Sequence, residues 1–290
     1  MDFSHGMRAH ALSDASQRIW QIGEHALVGI SAGNGYFNQK RLTALLQWAA
    51  YHFKNVDVVY VDTHIDDMQI ADGRAPQEAA KSVKRTLKDV RRRIQRAAES
   101  LGPEIARLRI RPLSEIQDIT SYRTVRARVD RAVQEDPVFA AACQDMVRTV
   151  VKGHPGRSGG ATEAHLRAGM NYVMAEAPLF VDSPSVFGVA TSTLCYHMST
   201  PVTAHFAGRP AGYSAAEGQG YVVVKPDEPD PDGAPGARPT KAVAQGSQKL
   251  FVAGDRPRIA TGERGPCGAV TVCRVTPVAG TGVVQGRRRA

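Results

Sequence analysis

Residues 26–62 restrict the fold more than any other part of the chain. They begin as a short apolar run, 26–31, that ends at Ser31 and turns through Gly33, Asn34 and Gly35 (GISAGNGYF). In 38–53 the apolar residues Leu42, Leu45, Leu46, Ala49 and Phe53 recur at helical spacing, and 56–62, VDVVYVD, is an almost continuous β-branched run. Strand, turn, helix and buried strand in that order make a βαβ unit, so the chain is of the α/β class with a parallel sheet. A serine at the carboxyl end of such a strand sits where open α/β sheets bind ligands. It suits a nucleophile, a phosphate cradle or a simple helix cap, and the glycines alone do not choose among them.

The chain has 290 residues, enough for one large domain or two small ones. Residues 1–24 read as an exposed lead-in with a little amphipathic helix. Residues 76–101 carry an apolar stripe, Val83, Leu87, Val90, Ile94, Ala97 and Leu101, on one long helix. Over the 16 residues 81–96 its other side holds Lys81, Lys84, Arg85, Lys88, Arg91, Arg92, Arg93 and Arg96 against the single acid Asp89. Solvated faces mix both signs, so this one predicts a polyanion partner, and the lack of interleaved aromatics favours backbone contact over base stacking. Residues 107–113 read as a third strand, 121–135 and 138–151 as helices, and 153–162 as a glycine-rich loop. Residues 163–177 read as a helix closed by Pro178, and 179–187 and 193–197 as short buried segments or strands. Residues 220–225 close the folded region. From Pro226 the composition turns to Pro, Gly and Asp, which predicts a disordered tail over 226–290 after a domain of 1–225.

Several functions are unsupported. There is no GxxxxGK[ST], no GxGxxG and no GxSxG. Asp62, His64, Asp66 and Asp67 crowd the polar loop expected after the second strand, but without metal-ligand spacing they read as solvated acids. Cys143, Cys195, Cys267 and Cys273 form no CxxC and read as free thiols in a reducing cytoplasm. No apolar run is long enough to span a membrane. Two further places hold reactive groups. Tyr172 and Glu176 are spaced by one helical turn, and Tyr196–His197 ends an apolar run. Either pair also suits ordinary core packing.

The segments GISAGNGYF, VVYVDTHID, KSVKRTLKDVRRR, LRAGMNYVMAEAPLF and LCYH occur in the order and form that resemble the cyclodipeptide synthase family, over about Gly6 to Pro226. Within it the likeness is greatest to the branch that makes cyclo(Phe-Leu). The resemblance implies a single Rossmann-like α/β domain similar to the catalytic domain of class Ic aminoacyl-tRNA synthetases, followed by the disordered tail. It implies a tRNA-dependent aminoacyltransferase that takes two aminoacyl-tRNAs per turnover, with no cofactor and no metal, and a monomer is expected. Ser31 matches the nucleophile, and Tyr172 and Glu176 match the pair that holds the amino group. Tyr196 matches a proton relay in cyclisation. Asn34, Tyr196 and His197 match the signature of one subgroup, and Tyr122 an accessory tyrosine near the substrate. Leu27, Gly29, Val59, Leu113, Leu179 and Leu194 match an apolar first pocket, implying Phe or Leu as first residue. The basic helix, with Lys84, Arg85, Lys88, Arg91, Arg92, Arg93 and Arg96, is implied to bind the tRNA. Ser199 stands where the resemblance implies an acid in the second pocket, so the second amino acid is left open. A noncatalytic RNA-binding module and a nucleotide-binding enzyme with GISAGN as its phosphate loop are the competing functions. The first has no reason to carry the Ser31, Tyr172 and Glu176 set, and the second lacks the expected Lys and Asp.

Overall fold

The computed structural model describes residues 2–152, 161–208 and 211–227. Strands β1 (Asp2–Ser4) and β2 (Met7–Ala11) form a hairpin, and α1 (Asp14–Ile22) leads to β3 (His25–Ile30). Then come α2 (Gln39–His52), β4 (Asn55–Tyr60), α3 (Ile65–Ala71), α4 (Pro76–Glu99), a 3-10 turn and β5 (Leu108–Pro112). Helices α5 (Leu113–Gln117), α6 (Thr120–Glu135), α7 (Pro137–Lys152) and α8 (Glu163–Phe187) follow, and β6 (Ser192–Tyr196), α9 (Pro201–Ala207) and β7 (Gln219–Pro226) complete the order.

Among the described residues the strands form one seven-stranded sheet in the order β1-β2-β7-β6-β3-β4-β5. The five strands from β7 to β5 are parallel, and the hairpin adds to β7 antiparallel. Counted along the chain, those five run 5-4-1-2-3, the Rossmann arrangement, and the order reverses between β3 and β6. Side-chain alternation sorts the core into two layers. Ala26, Val28, Ile30, Val56, Val58 and Tyr60 pack against residues of α2 and α4. Leu27, Val59, Leu194 and Tyr221 pack against residues of α6, α7 and α8 on the other face.

The structure corrects three expectations. The first 24 residues are a hairpin and a helix rather than a lead-in, and Met7 and Ala9 are buried. The stretch after β4 forms α3 rather than a loop. Pro178 does not close α8, which continues as helix through 179–187 and breaks at Asp182 (φ −154°, ψ 57°). The run from Val173 to Pro184 is buried except for Glu176, so neighbours on every side hold the helix together past a proline that costs one backbone bond. Asp182 restarts it by accepting the Ser185 N–H at 3.1 Å, as a cap does, and also takes Arg128 at 2.9 Å. The glycine-rich loop lies almost wholly outside the described residues, as does nearly all of the tail.

The amino halves of the strands are tied by a buried polar network. His25 contacts Ser192 Oγ through Nδ1 at 2.8 Å and Asp57 through Nε2 at 3.0 Å. Arg111 gives Asp57 two bonds, at 3.1 and 2.7 Å, and Arg109 adds an ion pair at 3.0 Å. Ser183 then links Ser192 at 2.8 Å to the Gln219 amide oxygen at 2.7 Å. Burial pushes the Asp57 carboxyl up, but His25 and Arg111 outweigh it and hold it below the usual carboxylate range.

Candidate active site

Ser31 is the first residue beyond β3. Alternation puts it on the face of Leu27 and Gly29, the face that α8 covers. Its Oγ lies 2.9 Å from the hydroxyl of Tyr196, the last residue of β6. Because β3 and β6 are the strands between which the order reverses, this pair spans the crevice where doubly wound sheets take their ligands. Tyr172, on α8, faces Ser31, Glu176 and Tyr196 with its hydroxyl, so the sequence-predicted set Ser31, Tyr172, Glu176 and Tyr196 converges.

Burial governs the proton affinities there. It pushes the Glu176 carboxyl from 4.5 up to about 8, against a smaller downward pull from the Tyr172 hydroxyl. It raises Tyr196 to about 12 and Tyr172 well above the ordinary phenol. Burial, then Lys225 and Arg41, depress His197 to about 4. At neutral pH the tyrosines and His197 are uncharged. Glu176 has a proton affinity close to that of an α-amino group, about 8, so a proton passes between the two at little cost.

The turn that carries Ser31 is braced from three sides. Asn34 approaches His197 Nε2 through its amide nitrogen at 3.3 Å and accepts the Tyr36 N–H at 2.9 Å. The His197 ring stacks on Tyr36 with centroids 4.1 Å apart. Gly33, at φ 80°, takes a left-handed conformation that favours glycine, and its missing Cβ would stand 3.7 Å from Thr86 of α4. Asn34, Tyr196 and His197, paired by the resemblance, thus meet in space. Tyr36 joins them although sequence reasoning passed it over.

The proposed pocket residues Leu27, Val59, Leu113, Leu179 and Leu194 belong to one buried cluster, and Tyr172 packs against it. Gly29 lies beside the Tyr196 ring. Tyr122 is in the same cluster, but its hydroxyl donates to the Ala175 carbonyl at 2.7 Å, one residue before Glu176. That bond positions α8. Tyr122→Phe is expected to cost about 1 kcal/mol of stability and to leave substrate KM unchanged; urea titration and steady-state kinetics check both. A raised KM at unchanged stability would instead put Tyr122 in contact with substrate.

On α4, Lys84, Arg85, Lys88, Arg91, Arg92 and Arg96 are exposed. Arg93 is set apart. Its side chain is 23% exposed against 60% for Arg92, and its guanidinium donates to the Phe37 carbonyl in the Ser31 turn. Asp89 pairs with both, at 2.9 Å to Arg92 and 3.0 Å to Arg93. The signal for Asp89 was in the sequence: one acid among eight bases, three and four residues before two of them.

The acids near β4 do not converge. Asp62 accepts Ser114 N–H and Oγ–H at 2.9 and 2.6 Å, and His64 pairs with Asp67 at 3.0 Å. No group of three or more His, Cys, Asp or Glu among the described residues is placed to hold a metal ion. No helix among them is long and apolar enough to cross a membrane. Cys143 and Cys195 are buried free thiols, and the other two cysteines lie outside the described residues.

The chain is 61% identical over 224 residues to the cyclo(L-leucyl-L-phenylalanyl) synthase of Streptomyces noursei, covering 77% of this chain and 94% of that one. It is 36% identical over 222 residues to a cyclo(L-tyrosyl-L-tyrosyl) synthase of Mycobacterium tuberculosis, covering 77% of each. The crystal structure of a cyclo(L-leucyl-L-phenylalanyl) synthase superposes with a TM-score of 0.75 at 60% identity, over 77% of this chain and all of that one. A Mycobacterium tuberculosis protein, described as demonstrating that cyclodipeptide synthetases are related to type I tRNA synthetases, superposes at 0.70 with 35% identity, over 77% of this chain and 94% of that one. The family profile for cyclodipeptide synthase matches residues 7–226, from the first residue of β2 to the last of β7. The crevice between β3 and β6 and the helices that wall it all lie inside that match, and the chain belongs to the cyclodipeptide synthase family of aminoacyltransferases.

Proposed function

We propose that the chain joins two amino acids, each delivered as an aminoacyl-tRNA ester, into a cyclic dipeptide by a ping-pong route through Ser31. The observation that carries this reading is the convergence on the Ser31 hydroxyl of Tyr196 at 2.9 Å and of Tyr172, which also faces Glu176, above an apolar cluster.

Ser31 Oγ attacks the ester carbonyl of the first aminoacyl-tRNA. The bond to the ribose oxygen breaks, the serine proton goes to that leaving oxygen, and an aminoacyl-enzyme remains. Tyr172 and Glu176 hold its amino group, and Glu176, with its proton affinity near 8, takes the ammonium proton. The freed amine attacks the ester of the second aminoacyl-tRNA, the bond to that ribose oxygen breaks, the oxygen takes up the proton the amine gives up, and a dipeptidyl ester is left on Ser31. The terminal amine then attacks that ester and closes the ring, and Ser31 recovers its proton through Tyr196. Every acyl group arrives activated as an ester, so no step calls for ATP. The exposed cations of α4 meet the tRNA phosphates. The apolar pocket takes a large hydrophobic first residue, Phe or Leu. A hydrophobic pocket separates neighbouring side chains by only about 1–3 kcal/mol per methylene, so a family of products is expected. Residues 1–225 form the catalytic unit, working as a monomer, and 226–290 stand outside the reaction.

Expression in a bacterial host and mass spectrometry of the medium test this. Cyclic dipeptides containing Phe or Leu are expected above an empty-vector control, and their absence from a well-expressed soluble protein overturns the proposal.

A further inference from the structure

The two neighbouring arginines of α4 occupy unlike environments. Arg92 stands out into solvent, bonded among the described residues only to Asp89 beside it. Arg93 turns inward. One guanidinium nitrogen donates to the Phe37 carbonyl, another pairs with Asp89 at 3.0 Å, and the buried Nε has no hydrogen-bond partner among the described residues. The backbone returns the contact, since the Arg93 carbonyl accepts the Gln39 side-chain amide at 3.4 Å. Phe37 and Gln39 flank Asn38, the cap of α2, at the end of the turn that begins at Ser31. At its other end the same turn lies against Thr86, two helical turns earlier on α4. The Ser31 turn is therefore bonded at its far end, and closely approached at Gly33, by the helix whose outer face carries the exposed cations.

A half-buried guanidinium already bonded to a main-chain carbonyl and to Asp89 does not turn to a phosphate without giving up those bonds. We infer that Arg93 is a positioning residue for Ser31: it clamps the nucleophile turn to α4 through Phe37, and Asp89 orients it for that task. Arg92 and the outer cations hold tRNA; Arg93 sets where the serine stands when the ester arrives. The one acid between Lys81 and Arg96 acquires a purpose on this account. It lowers the attraction of the face for a polyanion, which is a cost to binding, and in exchange it aims Arg93. The inference rests on the reading of Ser31 as nucleophile and α4 as the tRNA face.

The experiment separates affinity from chemistry. Filter binding of deacylated tRNA across a salt series reports the first. The first-order rate of Ser31 acylation by saturating radiolabelled Phe-tRNA, in single turnover, reports the second. Arg92→Ala is expected to weaken binding and reduce the salt slope by about one with the saturating acylation rate unchanged. Arg93→Ala is expected to keep affinity and salt slope and to lose about ten- to a hundredfold in acylation rate, the scale of an ångström-sized misplacement. Arg93→Lys, which keeps one donor, recovers part of that rate. Asp89→Asn is the sharper variant, because it leaves every arginine in place: tRNA binding tightens and acylation slows. Arg93→Ala with weakened binding, a smaller salt slope and an unchanged saturating rate overturns the inference, as does Asp89→Asn with an undiminished acylation rate. If Arg93→Ala does not fold, Asp89→Asn decides alone. A wild-type protein that never becomes acylated refutes the underlying reading instead, so the two failures are distinguishable.

Discussion

Ser31→Ala will bind tRNA as the wild type does, will carry no covalent amino acid after incubation with radiolabelled Phe-tRNA, and will release no cyclic dipeptide. The expected loss in product is at least about 10³-fold, because removing a nucleophile removes the covalent route as a whole. The hydroxyl is replaced by hydrogen on a partly open turn, and its bond to the Tyr196 hydroxyl at 2.9 Å and its contact with Tyr172 are surrendered there. A net hydrogen bond is worth about 1 kcal/mol, so the fold survives. Acid-stable label retained on the variant would move the nucleophile elsewhere. Label lost together with tRNA binding would show a folding defect, which a thermal melt identifies.

The second large effect is at Glu176, where activity and stability move in opposite directions. Glu176→Gln cannot take a proton from the bound amine, so product is expected to fall by about 10²–10⁴-fold while Ser31 still becomes labelled. The stability change follows from the proton affinity. Burial holds the carboxyl at about 8 in the folded chain against an ordinary 4.5. Between those values the folded state keeps a proton that the unfolded chain has released. Wild-type stability therefore falls as pH rises through that window, whereas the glutamine variant has no such proton to keep. The two proteins should melt together near pH 4, and the variant should be the more stable by on the order of 2 kcal/mol above pH 8, after allowance for water in a partly open cleft. Equal melting temperatures at both ends of the range would return Glu176 to an ordinary carboxylate.

The parts of the fold legible in the sequence were those with a sustained period. The strand, turn, helix and strand of 26–62 and the long stripe of α4 each repeat a simple interval, and both stand within a residue or two of where the pattern put them. The hairpin of β1 and β2 was hidden because MRAHA alternates over only five residues and places Arg8 and His10 on its outer side. The second half of α8 was hidden for the opposite reason. It is buried all round, so it has no apolar face to count, and Pro178 looked like an ending.

The site divides in the same way. Ser31, Tyr172, Glu176 and Tyr196 stood out as residue types at constrained positions, but nothing local said that four side chains from three elements meet. The strand order does that, and it is not written in any short segment. Arg92 and Arg93 are alike in sequence and differ only because one of them faces the Ser31 turn. The network of His25, Asp57, Ser183, Ser192 and Gln219 joins residues up to 167 positions apart, and its one local sign was the aspartate inside VDVVYVD.

That network lies in the amino halves of the strands, while Ser31 and Tyr196 stand at the carboxyl ends of β3 and β6. On the proposed reading, what anchors the sheet and what selects the amino acid are borne by different atoms. On the proposed reading of the pocket, substitutions at Val59, Leu113 or Leu179 can reshape the chamber without touching His25 or Asp57. A scaffold arranged this way is free to drift in product range over evolutionary time, and a library that varies the chamber while leaving those five polar residues untouched should retain a high proportion of folded members.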